Sequence, residues 1–293
     1  MSWDADLHVP GDDAGDIIAR LNDWCREHAL FSQSAGDETS GQWWYEDEDT
    51  GVYFSVEFGP EEDRLSAEGH TPAEIAVNVN YARPHYFALE AMPVVTTMVA
   101  ELGCTLVDHQ GDEAPEEPAA ESLIESWDRG NATAVRVVLE RSPNHPRWSR
   151  DEAHAWWQYQ RSKSEISEAL ADEDVFVPTL MLVTLPDSPR VVSVAVWPDA
   201  IAVLLPRCDL IAGRYDRRKL FRKETVEMLY RTEDVRQALG KRLTQRPLAG
   251  MTHDLLLPED ADDCGDVLAR MEPVGPQSLA AGRRLNQLAF VEV

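Results

Sequence analysis

Gln42-Trp43-Trp44-Tyr45-Glu46-Asp47-Glu48-Asp49-Thr50-Gly51-Val52-Tyr53-Phe54-Ser55-Val56-Glu57-Phe58 decides how this chain is read. Its two ends are aromatic and β-branched runs, and Asp49-Thr50-Gly51 between them is turn chemistry, so the segment predicts a β-hairpin. Successive strand residues face opposite ways, so Trp43 and Trp44 must project to opposite sides of the sheet. Downstream, the odd positions of residues 75–81 are Ile75, Val77, Val79 and Tyr81, the two-residue period of a half-buried strand. Upstream, Ile17, Ile18, Leu21, Trp24, Cys25 and Leu30 recur at helical spacing and predict an amphipathic helix over about 14–30. Arg83-Pro84 opens a second helix reaching about Leu102, with the missing proline N–H in the first turn, where no intrahelical bond is lost. Gly103 ends it and Thr105-Leu106-Val107 returns as a short strand. The order α-β-β-β-α-β predicts an antiparallel sheet with helices on one face, an α+β module.

The 293 residues carry 53 acidic and 27 basic side chains, a net charge of −26. The imbalance is local. Through Asp128 there are 29 acidic residues against Arg20, Arg26, Arg64 and Arg83, a net of −25, and the remainder is close to neutral. A charge so concentrated disfavours a nucleic-acid backbone or an anionic membrane as the partner of this part. The Pro-, Ala- and Glu-rich stretch over 111–120 reads as an extended linker, which divides the chain into modules at 1–110 and 121–293.

Beyond the linker, helices are expected over about 119–141 and 149–171, the second opening on Ser149 with Glu152 three residues later, a capping-box spacing. Apolar runs over 175–185, 191–197 and 200–205 predict a three-stranded meander. Residues 225–230 fit strand or helix, 233–243 a helix, 254–257 a strand and 285–293 a final strand. The second module is therefore also mixed α+β.

Loops of the form G-x-x-x-x-G-K-[ST] or G-x-G-x-x-G, a G-x-S-x-G elbow and an H-E-x-x-H pair are all absent from the sequence. Cys25, Cys104, Cys208 and Cys264 stand far apart and read as buried reduced thiols. None of the eight histidines has a companion at ligand or triad spacing. Glu46 to Asp49 is a run of four carboxylates that fits either a solvated turn or a divalent-cation site. The stretch from Asp260 resembles a calcium loop but has Met271 where a bidentate glutamate is required. Arg214 to Lys223 holds six basic residues among Tyr215 and Phe221, a pattern open to a solvated loop, to docking on the acidic module, to phosphates or to another acidic partner. With no signal-like N-terminus and no apolar run of about 18 residues, a cytoplasmic protein without a membrane segment is expected.

The stretch from Tyr45 to Phe54, the run from Asn80 to Ala91 and Asp108-His109-Gln110 resemble a pattern in uncharacterised bacterial proteins, as do Val177-Pro178 and the run from Val196 to Asp209. The resemblance implies a bacterial accessory protein, similar in general character to immunity proteins of polymorphic toxin systems. The resulting expectation is a non-enzymatic acidic binding protein whose partner is a basic protein such as a toxin. Trp43, Trp44 and Tyr45 are the candidate anchors, and Glu46, Asp47, Glu48 and Asp49 the charged rim. No cofactor is implied. The alternatives are a metal-assisted hydrolase using the same carboxylates with a histidine, and a regulatory subunit whose modules hold each other by opposite charge.

Overall fold

The computed structural model describes residues 1–10, 16–60, 70–110, 119–184, 188–219, 222–274, 283–285 and 289–293. They form two compact units, Met1–His145 with Glu292, and Pro146–Val291 with Val293. Residues 111–118 of the expected linker lie outside the described residues, and the helix that follows them groups with the first unit.

The first unit runs β1 (Ser2–Pro10), α1 (Ile17–Glu27), β2 (Phe31–Gly36), β3 (Gly41–Glu46), β4 (Tyr53–Phe58), β5 (His70–Asn80), α2 (Tyr86–Glu101), β6 (Thr105–Asp108) and α3 (Ala120–Arg141). Its six strands form one antiparallel sheet in the order β2-β3-β4-β5-β1-β6. The α+β class and the hairpin hold. Two strands are additional to the expected order. In β1, Trp3, Ala5 and Leu7 alternate with Asp4, Asp6 and His8, a two-residue period interrupted only by a register shift at Leu7/His8. In β2 the polar sequence Ser32-Gln33-Ser34 carries little strand signal, and pairing with β3 supplies what propensity does not.

Register assigns the two faces of the sheet. Cross-strand neighbours Trp3 and Val79, Ala5 and Val77, and Leu7 and Ile75 put the apolar set of β1 and β5 on one side. Val56 and Phe54 of β4, opposite Trp43 and Tyr45 of β3, extend the same layer. The helices meet this layer: Trp43 Nε1 donates to Asn22 Oδ1 of α1 at 2.8 Å, Tyr45 Oη to Glu90 Oε1 of α2 at 3.2 Å, and Ser126 Oγ of α3 to Asp108 Oδ2 at 2.5 Å. At roughly 25 cal/mol per Å² of apolar surface, this layer of fully buried side chains is the dominant stabilising term of the unit.

The second unit runs β7 (Arg147–Trp148), α4 (Arg150–Ala169), β8 (Leu180–Thr184), β9 (Val191–Trp197), β10 (Val203–Leu205), β11 (Leu210–Lys219), β12 (Arg222–Arg231), α5 (Thr232–Leu239), β13 (Leu243–Leu248), β14 (Met251–Leu256), α6 (Cys264–Arg270), β15 (Arg283–Leu285) and β16 (Val291–Glu292). Ser149 caps α4 as its spacing predicts, its hydroxyl accepting from the Glu152 N–H at 3.4 Å and donating to the Glu152 carboxylate at 2.7 Å. The expected meander is not formed. β8 and β9 join a sheet ordered β12-β11-β9-β8-β15, while β10 enters a separate sheet ordered β10-β14-β13. Pro198 and the positive-φ pair Asp199 and Ala200, at 53° and 52°, turn the chain between β9 and β10, and an apolar run does not specify its partner strand. Residues 225–230 are strand, within β12. Trp197, Ile211, Tyr230, Val235, Leu256 and Leu268 form the core that joins the two sheets to α5 and α6.

Candidate functional site

The same alternation that fills the helix-bearing side of the first sheet supplies its other face with polar groups. Asp4 and Asp6 from β1, Asn78 and Asn80 from β5, Tyr53, Ser55 and Glu57 from β4, and Gln42, Trp44 and Glu46 from β3 occupy the positions opposite the apolar layer. These side chains hold one another. Trp44 Nε1 donates to Ser34 Oγ at 3.1 Å and to Gln42 Oε1 at 3.0 Å, and Gln42 Nε2 donates to Glu57 Oε1 at 2.9 Å. Asn78 Nδ2 donates to Asp4 Oδ1 at 2.5 Å, and His109 Nε2 lies 3.0 Å from Asp6 Oδ2. Arg83, in the turn after β5, donates through Nη2 to Tyr53 Oη at 2.9 Å with its guanidinium over that ring, 5.8 Å from the centroid.

Trp44 and Tyr53 form a tilted aromatic pair, their centroids 6.0 Å apart and each ring half-buried. Glu46 and Glu57, both exposed, flank the pair on β3 and β4. The Trp44 ring is thus fixed by its hydrogen bonds to Ser34 and Gln42 with carboxylates beside it, so ring and charge are in place before any contact.

The four carboxylates of the β3–β4 turn sit at the end of this face. Asp47 Oδ1 accepts from the backbone N–H of Asp49 at 2.9 Å and of Thr50 at 3.2 Å, closing an Asx turn, and Gly51 at φ 67° completes the reversal. Glu46, Glu48 and Asp49 are exposed. Beneath the turn, Thr50 Oγ1 donates to the buried Glu90 Oε1 at 2.9 Å, fixing the turn to α2. At the neighbouring β2–β3 turn, the Thr39 hydroxyl and the backbone N–H groups of Thr39 and Ser40 converge on Asp37 and hold its carboxyl below the usual range.

Of the residues singled out from sequence, Trp44, Glu46, Asp47, Glu48 and Asp49 lie together on or beside this face. Trp43 and Tyr45 do not: Trp43 is 4% and Tyr45 5% exposed, within the apolar layer under α1 and α2. Among the described residues, no three His, Cys, Asp or Glu side chains are grouped to hold a metal ion. The basic stretch over 214–223 is the antiparallel β11–β12 pair, with residues 220–221 and the side chains of 216–224 outside what is described. Sequence reasoning missed Asp4, Asp6, Tyr53, Glu57, Asn78 and Arg83 as members of the face. The alternation of Trp3 to His8 was the available signal.

No family model, curated protein or solved structure matches this chain. Among the described residues, no helix is long and apolar enough to cross a membrane.

Proposed function

We propose that this chain is a non-enzymatic binding protein that engages a basic protein through the polar face and acidic turn of its first unit. The observation that supports this most is the Trp44–Tyr53 pair, half-buried, hydrogen-bonded in place and flanked by Glu46 and Glu57. Over residues 1–145, 30 acidic side chains stand against 7 basic ones, so the face lies in a negative field that steers a cationic partner toward it. A partner that itself grips nucleic acid, such as a nuclease toxin, carries the complementary positive surface. Neutralising such a toxin is the role in which a preformed acidic face with an aromatic centre is most useful.

The test is titration of the full chain with a panel of purified basic nuclease domains by calorimetry at low and high salt. The reading requires at least one complex whose affinity falls steeply with salt and drops roughly tenfold or more in Trp44→Ala, a change that leaves net charge untouched. Absence of any complex at low salt, or complexes indifferent both to Trp44→Ala and to Glu46→Gln with Glu57→Gln, removes it.

A further inference from the structure

We propose that the β11–β12 hairpin of the second unit is a DNA-binding ribbon whose end enters the major groove of a B-form duplex, with Arg218, Lys219, Arg222 and Lys223 as its phosphate-contacting residues. This partner is separate from the basic protein assigned to the first unit, and neither reading depends on the other. Register sets the ribbon apart from the rest of its sheet. β11 pairs with β12 along its whole length, from Leu210 opposite Arg231 to Lys219 opposite Arg222, but with β9 only from Leu210 to Gly213. β12 is the last strand of the sheet, so among the described residues the six positions from Arg214 to Lys219 pair only with β12. At roughly 3.3 Å per residue they make a two-stranded ribbon about 20 Å long. Tyr215 seats its base: the side chain is 5% exposed and its hydroxyl lies 3.2 Å from that of Tyr230.

The placement of charge along the ribbon points to a polyanion. Over 214–227 six basic residues stand against Asp216, Glu224 and Glu227, in a chain of net charge −26. Toward the base, Arg214 is opposite Glu227 and Arg217 opposite Glu224, pairs of unlike charge that support a ladder. At the end, Arg218 is opposite Lys223 and Lys219 opposite Arg222. Like charges directly opposite one another disfavour strand pairing, so the hairpin is weakened where its positive charge is greatest, and a bound polyanion relieves that repulsion.

Geometry selects among polyanions. Successive strand positions alternate between faces, which places Arg218 and Lys223 on one face of the ribbon and Lys219 and Arg222 on the other. A flat acidic protein surface meets one face only; a groove walled by phosphates meets both. The major groove of B-DNA is about 12 Å wide and a sheet with its side chains is about 10 Å thick, so the ribbon fits with each face toward one wall. The deep, narrow major groove of A-form RNA does not admit it. Acidic residues more than about 8 Å from the phosphates are largely screened at physiological salt, so the net charge of the chain does not forbid this contact.

Fluorescence anisotropy tests this, with the full chain, labelled DNA and RNA duplexes of about two helical turns, and labelled polyglutamate. The DNA is expected to bind with a Kd below roughly 10 μM at about 50 mM salt, log affinity falling against log salt with a slope of about −4 to −5. Arg218→Gln with Lys223→Gln, and Lys219→Gln with Arg222→Gln, should each weaken binding roughly fivefold or more and flatten the slope by about 2. Each pair of changes also removes an opposed like-charge pair, so neither should lower the unfolding temperature. Arg231→Gln with Lys241→Gln, the same loss of charge at exposed positions outside the end of the ribbon, should leave affinity and slope unchanged. Five results overturn the proposal: no DNA binding at that salt, RNA bound as tightly, the same flattening in the Arg231 and Lys241 variant, a lowered unfolding temperature in both ribbon variants, or polyglutamate bound more tightly than DNA, which assigns the ribbon to an acidic protein.

Discussion

Trp43 Nε1 donates to Asn22 Oδ1 at 2.8 Å, and both residues are buried where strand β3 meets helix α1. Replacing Asn22 with Leu strands the indole N–H away from water, and Asn22 also donates to the Glu38 carbonyl. Asn22→Leu is expected to lower stability by about 1–3 kcal/mol. Trp43→Phe in the same background is expected to lose less than it does alone, because the unpaired donor is removed with the ring. Urea denaturation of the two single variants and the double variant measures both.

Glu90 joins two more elements, accepting from Tyr45 and from Thr50 while only 4% exposed. Thr50→Val removes one of these bonds and leaves a buried acceptor with one donor fewer, and is expected to destabilise by about 1–3 kcal/mol. Glu90→Gln retains an acceptor oxygen and should lose less than Glu90→Leu, which removes the acceptor of both hydroxyls. Thermal unfolding ranks the three.

Glycine to alanine within a helix normally adds about 1 kcal/mol. Gly130 in α3 reverses the sign, because a Cβ there would stand 2.1 Å from the hydroxyl oxygen of Tyr81, a side chain that is itself 9% exposed. Gly130→Ala is expected to destabilise by about 1–3 kcal/mol through overpacking. Combining it with Tyr81→Ala should recover part of the loss relative to the sum of the single changes, as chemical denaturation can show.

His253 has a folded-state pKa below its ordinary value, so the unfolded chain takes up the proton first as pH falls. Its contribution to stability is therefore complete above the ordinary histidine range and is lost as pH drops from there through the lowered value. The difference in unfolding free energy between the native chain and His253→Gln, measured at pH 8 and at pH 5, should shift in favour of the variant at the lower pH. A difference independent of pH contradicts the assignment.

Burial pushes the thiols of Cys25 up to about 12 and of Cys104 up to about 11, and it raises Cys264 as well. With Cys208 similarly raised, all four free cysteines are expected to react slowly with an aromatic disulfide reagent at pH 8 in the native state, and rapidly once denaturant is added.

What could be read from sequence was what period and punctuation encode. The hairpin around Asp49-Thr50-Gly51, helix α2 ending before Gly103 and the Ser149 cap all depend on residues within a few positions of one another. The partner of each strand depends on the rest of the chain, which is why β10 joined β14 instead of β9. Sequence alone required Trp43 and Trp44 to face opposite ways; only the position of α1 decided that Trp43 faces inward. Arg207, just beyond β10, and His253 of β14 are brought to one cavity by the pairing of those two strands, a proximity that no local spacing announces.

The place of β1 between β5 and β6 bears on biosynthesis. During translation residues 2–10 are made before the strands that flank them, which are not complete until residues 80 and 108 have been made. Until residue 80 is made Trp3, Ala5 and Leu7 have no neighbouring strand β5 to pair with, and until residue 108 is made β1 presents an open edge. Holding that opening segment unengaged for most of a hundred residues makes the nascent chain a natural client for a ribosome-associated chaperone.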